Sequence, residues 1–162
     1  MGNAEDKTEV NGLLKQLGKV LDLPLELDAN NRCLILLDEK IVLNLELDEE
    51  RHELIVYAYI SVVPFAAKEL VLGILLEANF FWRISNGSTF ALDKQTQTLV
   101  LQRKFELPLR EVENFEDDIA VFVDVAEAWM KRIDDICSEA ELLLEEDSKP
   151  KTEEKEYGSW KY

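Results

Sequence analysis

The sequence predicts an α+β fold, ordered α-β-β-β-α-β-β-α, with a twisted antiparallel sheet and three helices. Three observations carry this. Apolar residues before Pro24 recur at helical spacing, those from Cys33 to Ser61 alternate at spacing two, and a long helical stripe returns after Asn114. At 162 residues the chain suits one domain with a real core. The domain is expected over residues 1–144, followed by an acidic, disordered tail over 145–162.

The first helix is expected over about residues 6–22, where Val10, Leu13, Leu14, Leu17, Val20 and Leu21 form one stripe. Pro24 stops it. Cys33–Leu37 reads as a strand, and Asp38-Glu39-Lys40 as a turn. Ile41, Leu43, Leu45 and Leu47 then alternate with Val42, Asn44 and Glu46 in a half-buried strand. A polar turn at Asp48–His52 leads to a third strand over Leu54–Ser61, and such short connections require an antiparallel meander. Pro64 suits a helix start, and the helix from Phe65 to Asn79 is apolar nearly all round. A helix of that kind needs cover on two sides. A second copy of the chain is the economical cover, with Gly73 permitting close approach. The competing arrangement sandwiches the helix inside one copy, between the sheet and the last helix.

The cluster Ser85-Asn86-Gly87-Ser88 reads as a turn before a short strand at Thr89–Leu92 and a longer one at Thr98–Leu107. In the longer strand Leu99, Leu101, Phe105 and Leu107 share a face with Arg103. Asn114 is placed to cap the last helix, with Glu116, Asp117 and Asp118 in its first turn. Phe115, Ile119, Phe122, Ala126, Trp129, Ile133 and Ile136 mark its buried face, to about Leu144. Tyr157, Trp160 and Tyr162 lie in the tail; a solvated terminus is the expectation, a short docking segment the alternative.

Composition narrows function. Against 34 Asp and Glu stand 18 Lys and Arg, a formal charge of -16, which repels phosphate backbones and anionic membranes. No nucleic-acid partner and no membrane insertion are therefore expected. Solubility alone accounts for the acid excess equally well. Cys33 and Cys137 sit inside apolar patterns and read as buried free thiols in a reducing compartment. The opening MGNAEDKTEV lacks the basic and apolar regions of a signal peptide, and Asp6 breaks a myristoylation pattern at Gly2.

Catalytic constellations are not found. The single histidine, His52, lies in a charged turn, with no second histidine or CxxC to make a zinc site. Walker A, GxGxxG and HExxH patterns are missing. The pairs Asp117-Asp118 and Asp134-Asp135 fall on the polar face of a helix. No enzyme, cofactor or metal is expected. What remains is apolar surface: Leu34 and Leu36 oppose Cys33, Ile35 and Leu37, while Ile55, Tyr57 and Tyr59 oppose Leu54, Val56, Ala58 and Ile60. Strands apolar on both sides are either buried between layers or cover a ligand, and an open sheet edge would accept an extended peptide.

The element order, the opening LLKQLGKVLDLPLELDANNRCLILLDEKIVLNLELDEE and the helix end LVLGILLEANFF resemble the class I type III secretion chaperones, the Tir-chaperone (CesT-like) family. TFALDKQTQTLVLQRKFELPL and FVDVAEAWMKRID complete the resemblance, which covers about residues 6–138. It implies a bacterial cytoplasmic homodimer, acting in virulence without ATP or metal, that binds the N-terminal chaperone-binding segment of secreted effectors. The secretion ATPase or sorting platform is a further partner it suggests. By position it puts the dimer interface on Val71, Leu72, Leu75, Leu76 and Phe80. The effector groove falls on Leu13, Leu17, Leu34, Leu36, Ile55 and Tyr57. A chaperone-like adaptor or regulator of a cytosolic bacterial protein is the alternative. The tail is longer than the family core needs.

Overall fold

Alternation at spacing two builds one sheet. The computed structural model describes residues 2–109 and 114–148. Its elements are α1 (Gly2–Leu21), β1 (Arg32–Leu37), β2 (Ile41–Asp48), β3 (Glu53–Val62), α2 (Lys68–Asn79), β4 (Thr89–Asp93), β5 (Thr98–Glu106) and α3 (Phe115–Ser148). The order is the expected α-β-β-β-α-β-β-α. The strands pair antiparallel in the order β1-β2-β3-β5-β4, so β1 and β4 are the two edges.

The inner face carries Cys33, Ile35, Leu43, Leu45, Leu54, Val56, Ala58, Leu99, Leu101 and Phe105, all buried. Against it lie the stripe of α1 (Val10, Leu13, Leu14, Leu17) and the stripe of α3 (Phe115, Ile119, Phe122, Ala126, Trp129, Ile133). Phe90 meets Trp129 with ring centroids 4.7 Å apart, and Phe105 meets Phe115 at 5.4 Å, fixing α3 at two points against β4 and β5. Arg103 shares the inner face, as its spacing foretold, and its guanidinium reaches Asp118 at 2.8 Å. Val20 departs from the expected stripe and is exposed. The chain leaves α1 there, Leu23 N–H bonding back to Gly18 O at 2.9 Å.

Several boundaries differ from expectation. Helix α1 begins at Gly2 rather than near residue 6; Thr8 Oγ1 donates to Ala4 O at 2.7 Å in the added turn, and Asp6 and Lys7 then reach His52 and Asn31. Residues Phe65–Ala67 form a 3-10 turn before α2 rather than its first turn. Helix α3 continues past Leu144 to Ser148. The tail beyond it, with Tyr157, Trp160 and Tyr162, lies outside the described residues.

Three aspartates tie three turns. Asp28 accepts the N–H groups of Asn30 and Arg32, Asp48 those of Glu50 and Arg51, and Asp93 that of Gln95. The backbone N–H of Arg32, of Arg51 and of Gln95 respectively is the main cause holding each carboxyl below its ordinary value of 3.8. A folded-state value below the unfolded one means the unfolded chain binds more protons in that window. The contribution is therefore complete above 3.8 and lost as pH falls through the folded values. The thermal midpoint should accordingly stay level from neutral pH to about 5 and fall below about 4. A level profile down to pH 2 would show that the three turns contribute nothing.

Candidate functional site

Part of the apolar strand surface has no cover. On the outer face Leu34 and Leu36 are 63% and 55% exposed, Val42 and Tyr59 are exposed, and Ile55 and Tyr57 are half-buried. The register sets Leu34 beside Asn44, Asn44 beside Tyr57, and Leu36 beside Val42. Tyr57 and Tyr59 meet edge to face at 5.9 Å. Partial burial, then the nearby Glu46 carboxylate, pushes the Tyr57 hydroxyl up, so it stays neutral. Arg32 and Glu46, 3.2 Å apart, border this patch at one end.

The patch adjoins an open backbone edge. Within an antiparallel strand the N–H and C=O of one residue point to the same side, and successive residues alternate. Arg32 N–H donates to Asp28 Oδ1 at 2.9 Å, and Arg32 O accepts from Asp28 N–H at 2.8 Å, both away from β2. Leu34 and Leu36 keep that parity and turn their backbone groups outward. Among the described residues these groups have no hydrogen-bond partner. Two successive leucines thus offer side chain and backbone together.

Leu13 and Leu17 lie elsewhere. They are 2% and 4% exposed, packed in the core beneath the inner face, on the opposite side of the sheet from Leu34 and Leu36. The six residues assigned to an effector groove do not form one surface. Four of them do: Leu34, Leu36, Ile55 and Tyr57. The stripe of α1 closes the core.

A second apolar surface lies on α2. Val71 and Leu75 face the core, Leu72 is half-buried, and Leu76 and Phe80 are 71% and 72% exposed. Leu70 and Phe81 extend the exposed face. Gly73 is exposed among them, and a Cβ added there would meet nothing within 4 Å. Within one copy, α2 is therefore not sandwiched. A groove between α2 and β4 is lined by Leu72, Leu76, Asn79, Phe90 and Leu92. Phe81 and Trp82 hold left-handed backbone angles, φ 56° and 51°, which end the helix and turn Phe81 outward. Trp82 Nε1 donates to Thr89 Oγ1 at 3.0 Å, and Trp82 O accepts from Gly87 N–H at 3.2 Å, which fixes this turn. Nothing in the sequence pattern signalled it.

The remaining reactive side chains have structural places. His52 Nδ1 lies 2.6 Å from Asp6 Oδ2, tying the β2–β3 turn to α1. Cys33 and Cys137 are buried free thiols whose pKa burial pushes up. Among the described residues, no group of three His, Cys, Asp or Glu side chains could hold a metal ion. No helix among them is long and apolar enough to cross a membrane.

Comparison with solved structures places this geometry. The chain is similar to a chain of the ExsC–ExsE complex at 28% identity and a TM-score of 0.66, covering 77% of this chain and 93% of that one. It is also similar to a chain of the HopA1–SchA chaperone–effector complex, at 18% identity and a TM-score of 0.65. There 78% of this chain and 97% of that one are covered. A third likeness is to the Yersinia pestis type III secretion chaperone SycH in complex with a stable fragment of YscM2, at 17% identity and a TM-score of 0.55. It covers 78% of this chain and 98% of that chain. No curated protein matches the sequence. The model of the Tir chaperone protein (CesT) family matches residues 12–130, from the middle of α1 to well inside α3. That match spans more than half of the chain, and the chain belongs to the Tir chaperone protein (CesT) family.

Proposed function

We propose that this chain is a type III secretion chaperone that holds the N-terminal segment of a secreted effector extended along edge strand β1. The observation that carries the reading is the coincidence of exposed leucines with open backbone groups at Leu34 and Leu36. An added strand would gain affinity from main-chain hydrogen bonds. Selectivity would come from alternate side chains seated against Leu34, Leu36, Val42 and Tyr57. The client stays unfolded because its apolar side chains are covered by the chaperone instead of its own core. This work is binding alone, in the bacterial cytoplasm, with the secretion ATPase or sorting platform as the receiving partner.

The working unit in this reading is a homodimer joined through the α2 face, with Leu72, Leu76 and Phe80 at its centre. Val71 and Leu75 support that face from the core side and do not touch the partner. That solved relatives include a chaperone–effector complex supports the client class.

The test is co-expression with the products of adjacent genes. An N-terminal segment of a secreted protein should co-purify and become protease-resistant over a few tens of residues. Recovery of a folded cytosolic protein instead would replace the secretion role with that of an adaptor.

A further inference from the structure

The two edges of the sheet are not equally open: the end of α2 lies along β4, and one of its side chains binds the strand's backbone. Asn79, the last residue of α2, lies beside edge strand β4. Phe90 N–H donates to Asn79 Oδ1 at 2.8 Å, and Asn79 Nδ2 donates to Phe90 O at 3.1 Å. By the antiparallel parity, both Phe90 groups point away from β5. The amide side chain therefore binds the strand as a neighbouring strand's peptide unit would. Phe90 pairs across the ladder with Leu101, and the next outward residue is Leu92, in the groove against α2. Asp93 ends the strand, paired with Thr98, and its carboxylate caps the following turn. With Phe90 taken, β4 keeps a single outward residue. β1 loses Arg32 to Asp28 in a similar way but keeps two, Leu34 and Leu36.

We infer that Asn79 is a specificity-determining residue: it closes the β4 edge by standing in for a strand, so an extended segment adds at β1 only. An exposed sheet edge pairs with any extended chain, including a second copy, unless something blocks it. A single addition site also fixes which face the client's side chains meet, since a strand joined at β4 would miss Leu34 and Leu36. The inference rests on the strand-addition reading above for its consequence, but not for the lock itself.

The experiment separates the two. Amide hydrogen exchange is followed by NMR on the full chain and on Asn79→Ala, first without any client. In the unmutated protein the Phe90 amide should exchange slowly while those of Leu34 and Leu36 exchange fast. Asn79→Ala should speed Phe90 exchange on the order of tenfold or more, the equivalent of one lost hydrogen bond. An unchanged Phe90 amide would overturn the lock, whatever happens at β1. Should Asn79→Ala not fold, the side-chain amide protons of Asn79 in the unmutated protein decide the same question. Slowed exchange supports the lock; free exchange overturns it.

The second arm adds an eight-residue peptide of alternating lysine and valine. The unmutated chain should take one copy, with protection appearing at Leu34 and Leu36. In the Leu76→Asp background, where no second copy covers the groove between α2 and β4, Asn79→Ala should take a second, with protection at Phe90 and Leu92. Peptide at β4 of the unmutated chain, or a single copy on a variant whose Phe90 amide is free, would overturn the assignment of edge choice to Asn79. No peptide at β1 on either protein would instead count against strand addition, leaving the lock to be judged by the first arm.

Discussion

A Leu76→Asp chain should run as a folded monomer. Leu76 is 71% exposed on α2, so within one copy the change touches solvent and should alter stability by only about 0.5 kcal/mol. In a two-fold symmetric dimer each copy contributes the same patch, so one substitution appears twice in the interface. Two unpaired carboxylates are then buried among apolar residues. Taking roughly 2–4 kcal/mol at each position, as at interface hot spots, the dissociation constant should rise by about a thousandfold or more. Sedimentation velocity with far-UV circular dichroism reads both quantities. Neighbouring Val71 serves as a contrast. At 1% exposure its aspartate variant should fail to fold, and such a failure would say nothing about association. A folded dimer from Leu76→Asp would move the interface off this face.

The second large effect is expected at the open edge. Leu34→Asp with Leu36→Asp should abolish client binding and leave the dimer intact. Each leucine is more than half exposed, and full burial of such a side chain contributes about 1.5–3 kcal/mol. Losing both and placing carboxylates against an apolar client should weaken binding on the order of a thousandfold. Fold stability should fall by only about 1 kcal/mol per site, from the poorer strand preference of aspartate. Isothermal titration with the co-purified client segment measures the first, and chemical denaturation the second. Client affinity within a few-fold of the unmutated chain would remove β1 from the binding site.

Most of the fold was legible because the periods were clean. Ile41, Leu43, Leu45 and Leu47 alternate without exception, and all four are buried in β2. Arg103 breaks an apolar face in β5, and its place there is explained by Asp118 arriving from α3 and by the Phe105 ring beneath its guanidinium. Where the reading of surfaces failed, the reason is geometric. A helical stripe such as Leu13 and Leu17 announces that one face is covered, but not by what. In α1 the inner face of the sheet takes Leu13 and Leu17, and Val20 stays exposed.

Helix α2 posed the opposite difficulty. With apolar residues all round, Val71 and Leu75 cannot be told from Leu76 and Phe80 until the direction of the sheet is known. Asn79 gave no sign at all. It reads as an ordinary polar helix end, and its function exists only because β4 passes alongside, eleven residues later in the chain.

The strand order has a kinetic side. β1, β2 and β3 pair with sequence neighbours through short turns, so each step closes a small loop. β3 sits in the middle of the finished sheet, yet its second neighbour is β5, with α2 and β4 intervening. The shortest bridge between them is Val62 to Thr98. Non-local pairings of this kind close late and set the pace of folding. Until β5 docks, the meander is a three-stranded sheet with two open edges. One of them, the β1 edge, is the surface that the finished protein keeps open.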